Sequence, residues 1–125
     1  MKSALALSPL PHTWLIDIDG TMLLHNGHKD DREKILPGVK DFWKKIPEQD
    51  VIILMTARTP EYMELTFALL KQNGLRYHHA IFNLPLGERI MINDQKPGGL
   101  MTAVAVNVPR NYGLIDLDVV IREDL

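Results

Sequence analysis

Two short apolar runs stand out in the first half of the chain. Residues 13–18 are nearly all apolar apart from Asp17, and Val51–Met55 is uninterrupted. Runs of this length bounded by polar turns predict strands buried on both faces of a parallel sheet. Residues 80–82, 90–92 and 103–108 read as shorter strands of the same sheet. Between the first two runs, Val39, Phe42, Trp43 and Ile46 recur at i, i+3, i+4 and i+7. That is one apolar stripe of a helix, opened by Pro37-Gly38 and stopped by Pro47. A second helix follows Met55, with Thr59 as its cap and Pro60 in its first position. Tyr62, Met63, Phe67 and Leu70 supply much of its inner stripe, and Gly74 ends it.

Strands alternating with helices predict an α/β fold with a mainly parallel sheet. The later strands leave little room for long helices between them. No internal repeat, low-complexity tract or domain boundary is visible, so residues 1–125 read as a single domain. The strongly hydrophilic stretch 25–34 (HNGHKDDREK) lies between the first strand and the first helix.

Composition narrows the class. A chain of 125 residues suits one ordinary domain and can bury roughly two-thirds of its unfolded surface. Its 46% hydrophobic and 24% charged content is that of a soluble globular protein. The net charge of -2, with scattered Lys and Arg, argues against nucleic acid or an anionic membrane as the main partner. The lack of cysteine excludes disulfides, thiolate metal sites and cysteine nucleophiles. The apolar patch in MKSALALSPL is short and broken by proline, and a strand follows at once, so a cytoplasmic protein is expected. No apolar run approaches the ~20 residues of a membrane span.

Ligands of open parallel sheets bind beyond the carboxyl ends of the strands. The first exit carries Asp17, Asp19, Gly20 and Thr21; the second carries Thr56, Ala57 and Arg58; the fourth carries Asn93, Asp94 and Lys96. Asp17 and Asp19 are two apart and point the same way along a strand. Two like charges side by side repel and lose hydration unless a cation neutralises them. Magnesium does so with one or two protein carboxylates plus water and substrate phosphate. A hairpin is the competing reading, since Asp19-Gly20 between apolar residues is a two-residue turn signal. It leaves Asp17, among Leu15, Ile16 and Ile18, unexplained.

Thr56 is the poorer helix cap beside Thr59-Pro60. Its hydroxyl and nearby backbone amides, that of Ala57 included, are therefore candidates for a phosphate contact. Arg58 is a further phosphate candidate or an ordinary surface arginine near a helix start. Asp94 sits in a turn-rich stretch and is the candidate third acid for the metal. Lys96 would offset the charge of a carboxylate nucleophile and an incoming phosphate. Arg89, its rival, precedes the fourth strand and is expected at the opposite edge. His78 and His79 are adjacent and cannot share a metal from a strand. With His25 and His28 they read as solvated, and His12 has no context.

Asp17-Ile18-Asp19-Gly20-Thr21 after an apolar strand resembles the first motif of the haloacid dehalogenase superfamily of phosphohydrolases. Thr56 is similar to that family's second motif, and Asp94 to its acidic fourth motif. The resemblance spans most of the chain. It implies a three-layer Rossmann-like fold without a separate cap domain, with residues 22–36 as the only candidate lid. It further implies that Asp17 attacks phosphorus to give an aspartyl-phosphate and that Asp19 protonates the leaving group and then activates water. Asp17, Asp19 through its backbone carbonyl, and Asp94 would hold Mg2+, and Thr56 would bind the phosphoryl group. The family's third motif is a Lys or Arg ahead of the acidic motif; here Arg89 precedes Asp94 and Lys96 follows it. Small capless members often cover their sites by oligomerising, so a homo-oligomer is expected.

The expected function is thus a magnesium-dependent phosphatase acting on a small phosphorylated metabolite, by analogy a sugar phosphate. A receiver-like phospho-switch is the rival, but it needs an aspartate near mid-chain where this sequence has Thr56. A catalytically inactive phosphate-binding relative is the third reading, and it has no need of the second carboxylate.

Overall fold

In the computed structural model, which describes residues 3–125, seven regular elements follow one another. They are β1 (Ser3–Leu7), β2 (Thr13–Asp17), α1 (Val39–Lys45), β3 (Val51–Met55), α2 (Met63–Gln72), β4 (His79–Ile81) and β5 (Leu117–Ile121). Two 3₁₀ turns, Gly27–Lys29 and Pro60–Tyr62, add to these. The chain is α/β, and both of its sheets are parallel: β2-β3-β4 in that order, and the pair β1-β5.

The register of the larger sheet sets Asp17 beside Met55, and Met55 beside Ile81. Parallel strands in simple sequential order, with crossovers of the usual right hand, would carry both helices on one face of the sheet. The burial pattern agrees. Ile16, Ile52 and Leu54 share one face and are buried in a single core with Val39, Phe42 and Trp43 of α1 and Leu70 of α2. Trp14, on the same face, meets Phe42 edge to face at 5.7 Å. The other face carries Leu15, 42% exposed, and Ile81, 46% exposed. Burial on both faces, expected from the continuous apolar runs, therefore does not hold.

Local chemistry explains the helix ends. Arg76 reaches the end of α1, donating from Nη2 to the Ile46 carbonyl at 2.7 Å, while the Trp43 indole donates to the Arg76 carbonyl at 2.8 Å. Cationic donors at a helix C-terminus satisfy its orphan carbonyls. Gly74 takes the left-handed conformation (φ 66) just past α2. Thr59 stands at the cap position, but its hydroxyl turns to Glu61 at 2.7 Å instead of capping.

Two expected strands do not form. Residues 90–92 and 103–108 form no strand, and residues 83–110 contain no helix or strand. Leu86, Ile90 and Ile92 of this arm are 91%, 84% and 93% exposed. A second, separate sheet forms elsewhere: the apolar patch at Ser3–Leu7 pairs with Leu117–Ile121. The chain returns to the body at Asn111, whose N–H donates to the Gly20 carbonyl at 2.8 Å. Leu114 is buried, and its N–H donates to the Pro37 carbonyl at 2.9 Å. Gly113 (φ 77) makes this return possible, because a Cβ there would collide with the Pro37 carbonyl.

Candidate functional site

The turn after β2 is tight. The Ile18 carbonyl accepts from Met22 N–H at 2.9 Å and from Leu23 N–H at 3.0 Å, with Gly20 at φ 82. A two-residue hairpin would need Asp19-Gly20 at its tip; the chain instead makes a wider flap. Leu24 N–H donates to the Lys34 carbonyl at 3.1 Å, and Leu36 N–H to the Met22 carbonyl at 2.8 Å, so the ends of 22–36 are tied together.

Asp17, Asp19, Thr56 and Arg58 come together at the carboxyl ends of β2 and β3. The Thr21 hydroxyl donates to Asp17 Oδ2 at 3.2 Å. Arg89 Nη1 donates to Asp17 Oδ1 at 2.8 Å, with both side chains about one-third exposed (34% and 33%). The Thr56 hydroxyl donates to Asp19 Oδ2 at 2.7 Å and accepts from Arg58 N–H at 2.9 Å. Thr56 thus does have a local duty, closing the turn into the helix.

Arg58 is buried rather than on the surface. Its Nε donates to Asp19 Oδ1 at 3.0 Å. Its terminal nitrogens grip Glu33 in bidentate fashion at 2.9 and 2.7 Å, and Nη1 also donates to Thr66 Oγ1 at 2.9 Å. Burial pulls the guanidinium pKa down, but the Glu33 hydrogen bonds and the Asp19 and Glu33 charges outweigh it, leaving a net rise. One arginine therefore ties the first strand exit, the 25–34 flap and α2 together.

His28 is the second correction. Its side chain is only 4% exposed, not solvated, and it packs edge to face on Tyr62 at 4.5 Å. Its Nδ1 lies 3.8 Å from Asp19 Oδ1, beyond hydrogen-bond range, and is buried without a partner. Burial, joined by the positive charge of Arg58, lowers its pKa despite the pull of Asp19 and Glu33. Two other histidines belong to the start of the sheet. His78 Nδ1 accepts from Ile52 N–H at 2.9 Å. His12 donates its N–H to buried Asp50 at 3.1 Å, and Asp50 also accepts from the Trp14 indole at 2.9 Å. Asp50 anchors the start of the sheet, at the edge away from Asp17.

Asp94 and Lys96 stay in the exposed arm. The Thr102 hydroxyl donates to the Asp94 carbonyl, and Lys96 N–H donates to the Leu100 carbonyl at 3.0 Å. Among the described residues, no hydrogen bond or ion pair joins Asp94 or Lys96 to Asp17 or Asp19. No group of three His, Asp or Glu gathers closely enough to hold a metal ion, again among the described residues. The three-acid set of Asp17, Asp19 and Asp94 is therefore not assembled within one chain. The pair at the sheet rim still has the donor chemistry of a magnesium site, since magnesium accepts few protein oxygens.

Arg89 takes the place expected of Lys96. Its expected place at the opposite edge depends on a strand at 90–92, and that strand does not form. Glu33 and Thr66 are the residues that sequence reasoning missed. A single acidic residue in a hydrophilic loop, and a Thr eight positions after Arg58, carry no pattern of their own.

Among the described residues, no helix is long and apolar enough to cross a membrane. No family model matches the chain, and comparisons with curated proteins and with solved structures find no match.

Proposed function

We propose that the protein is a magnesium-dependent phosphatase of the haloacid dehalogenase type, a single capless domain with a Rossmann-like core. It is proposed to act in the cytoplasm on a small phosphorylated metabolite, by analogy a sugar phosphate, and not on nucleic acid or membrane. One observation carries this reading: two carboxylates, two hydroxyls and two arginines meet at the carboxyl rim of a parallel sheet, where such sheets bind ligands.

In the proposed reaction a carboxylate oxygen of Asp17, open to solvent on one side, forms a bond to phosphorus as the ester P–O bond breaks. Asp19 gives its proton to the departing oxygen. Water then loses a proton to Asp19 and attacks phosphorus, the bond to Asp17 breaks, and phosphate leaves. A covalent carboxylate intermediate splits one hard displacement into two easier ones. Asp17 and the backbone carbonyl of Asp19 would hold the magnesium ion, which would neutralise phosphate charge. Thr56 and the Ala57 amide would stand beside the phosphoryl position, the buried Arg58 would act there by holding Asp19, and Arg89 holds the nucleophile. Residues 22–36, tethered through Glu33, would act as the lid.

Asp17→Asn is expected to abolish magnesium-dependent phosphate release from an aryl phosphate. A wild type that turns over no phosphate ester would sink the reading. An inactive phosphate-binding relative is the second reading. It is favoured by the engagement of both Asp19 oxygens, one by Thr56 and one by Arg58. Asp19→Asn separates the two: loss of turnover with phosphate binding retained supports the enzyme, and unchanged turnover removes Asp19 from proton transfer.

A further inference from the structure

The proposed phosphate contact asks two things of one proton. The Thr56 hydroxyl has a single hydrogen, and it goes to Asp19 Oδ2 at 2.7 Å. Thr56 is fully buried, so a phosphoryl oxygen can take that hydrogen only if the bond to Asp19 opens. Asp19 then keeps Arg58 Nε on Oδ1 at 3.0 Å and is one donor short. With its side chain only 16% exposed, a donor lost there is costly.

A replacement stands nearby. His28 Nδ1 lies 3.8 Å from Asp19 Oδ1 and is buried without a partner. The other such atom among the described residues, His12 Nε2, lies beside Asp50 at the far edge of the sheet. Burial, together with the charge of Arg58, lowers the pKa of His28, which leaves the ring neutral with one N–H. A carboxylate opposite Nδ1 favours the tautomer with its proton on that nitrogen. A hydrogen bond then needs Nδ1 to approach Asp19 by less than about 1 Å. His28 stands in the 3₁₀ turn Gly27–Lys29, within a flap tied at its two ends by Leu24–Lys34 and Met22–Leu36. A small tilt of the flap between those ties can supply the movement. An orphaned buried nitrogen is a cost that the empty site carries and the bond to Asp19 removes.

We infer that His28 is a positioning residue for Asp19: as Thr56 turns its hydrogen to a phosphoryl oxygen, His28 Nδ1–H takes its place on the carboxylate and draws the flap down. This role rests on the phosphate contact of Thr56 within the phosphotransfer reading and deepens it. Filling the site and closing the flap become one event, governed by a residue that does not touch the phosphate.

Three measurements on the full chain test the exchange. The first needs no ligand. Thr56→Val removes the hydroxyl, so the His28 Nδ1–H resonance of isotope-labelled protein is expected to move downfield in the empty site, as for a bond to carboxylate. The second adds inorganic phosphate with magnesium to the wild type, where the same downfield move is expected at saturation. His28→Asn identifies the signal by its loss. A resonance that stays in place in either experiment overturns the exchange and leaves the phosphatase reading standing; if Thr56→Val does not fold, the phosphate titration decides.

The third compares affinities. His28→Phe keeps a ring against Tyr62 but has no donor. Its Kd for phosphate is expected to rise about tenfold or more, with no fall in the melting temperature of the empty protein. His28→Asn, whose side-chain N–H can stand where Nδ1–H does, is expected to recover most of that affinity. Unchanged affinity in His28→Phe, or no recovery in His28→Asn, overturns the positioning role. A wild type that binds no phosphate overturns the exchange and the phosphate site together. One that binds phosphate without turnover loses the phosphatase reading alone, and the resonance and affinities still decide the exchange.

Discussion

Residues 13–82 and residues 83–110 have similar apolar runs and opposite fates. In the first region each run finds a neighbour: β2 lies on β3, β3 on β4, and Trp43 and Leu70 fill the space behind them. In the second, residues 90–92 and 103–108 have equally strand-like sequences but neither becomes a strand. The difference is the helices. α1 and α2 connect β2, β3 and β4 and cover one face, whereas no helix among the described residues follows residue 82 to cover the other. Burying a large aliphatic side chain contributes about 1.5–3 kcal/mol. The exposed apolar side chains of the arm therefore leave on the order of 10 kcal/mol unrealised in a single copy.

The sharpest way to break the contrast is at Arg58. Arg58→Met leaves Asp19 and Glu33 without their shared cation and is expected to destabilise the body by about 3–5 kcal/mol. Urea unfolding measures it, and a change below 1 kcal/mol would mean the network is not a tie. Next, Leu54→Ala opens a cavity in the covered face and is expected to cost about 2–5 kcal/mol. Its counterpart in the arm is Ile92→Ser, expected to stay within about 0.5 kcal/mol at concentrations where the chain is monomeric. If Ile92→Ser destabilised the dilute monomer as much as Leu54→Ala, the two regions would not differ as described.

Smaller effects sharpen the picture. Thr66→Val removes one hydroxyl that accepts from Arg58 and donates to the Tyr62 carbonyl. It is expected to cost about 1–3 kcal/mol, since Arg58 loses a buried partner. The gentlest probe is pH. Burial lowers the pKa of His28 in the folded chain, so below about 6.5 the unfolded chain binds more protons at this position. His28 therefore subtracts stability as pH falls from its unfolded pKa toward its folded one, and contributes no such loss above that window. His28→Phe is expected to flatten this part of the stability–pH curve; an unchanged slope would assign it to other groups.

Much of the body was legible in the residues themselves. Val51–Met55 is the strand that its apolar run predicts, the Val39–Phe42–Trp43 stripe is buried, and Gly74 closes α2. Asp17, Asp19 and Thr56 do meet at one rim. These features are local or near-local: a run, a 3.6-residue period, a residue at a strand exit. Arg58 was visible as a residue but not as a buried one, because its partners Glu33 and Thr66 lie 25 positions before it and 8 after.

The division follows from what each level of structure can encode. Side-chain order along the chain decides which segments prefer strand or helix, and where a turn places charge beside an apolar run. Whether a strand-like segment becomes a strand depends on an open ladder and a covering layer, and both come from distant parts of the chain. That is why Ser3–Leu7 found a partner in Leu117–Ile121, why residues 90–92 found none, and why Arg89 rather than Lys96 reached Asp17.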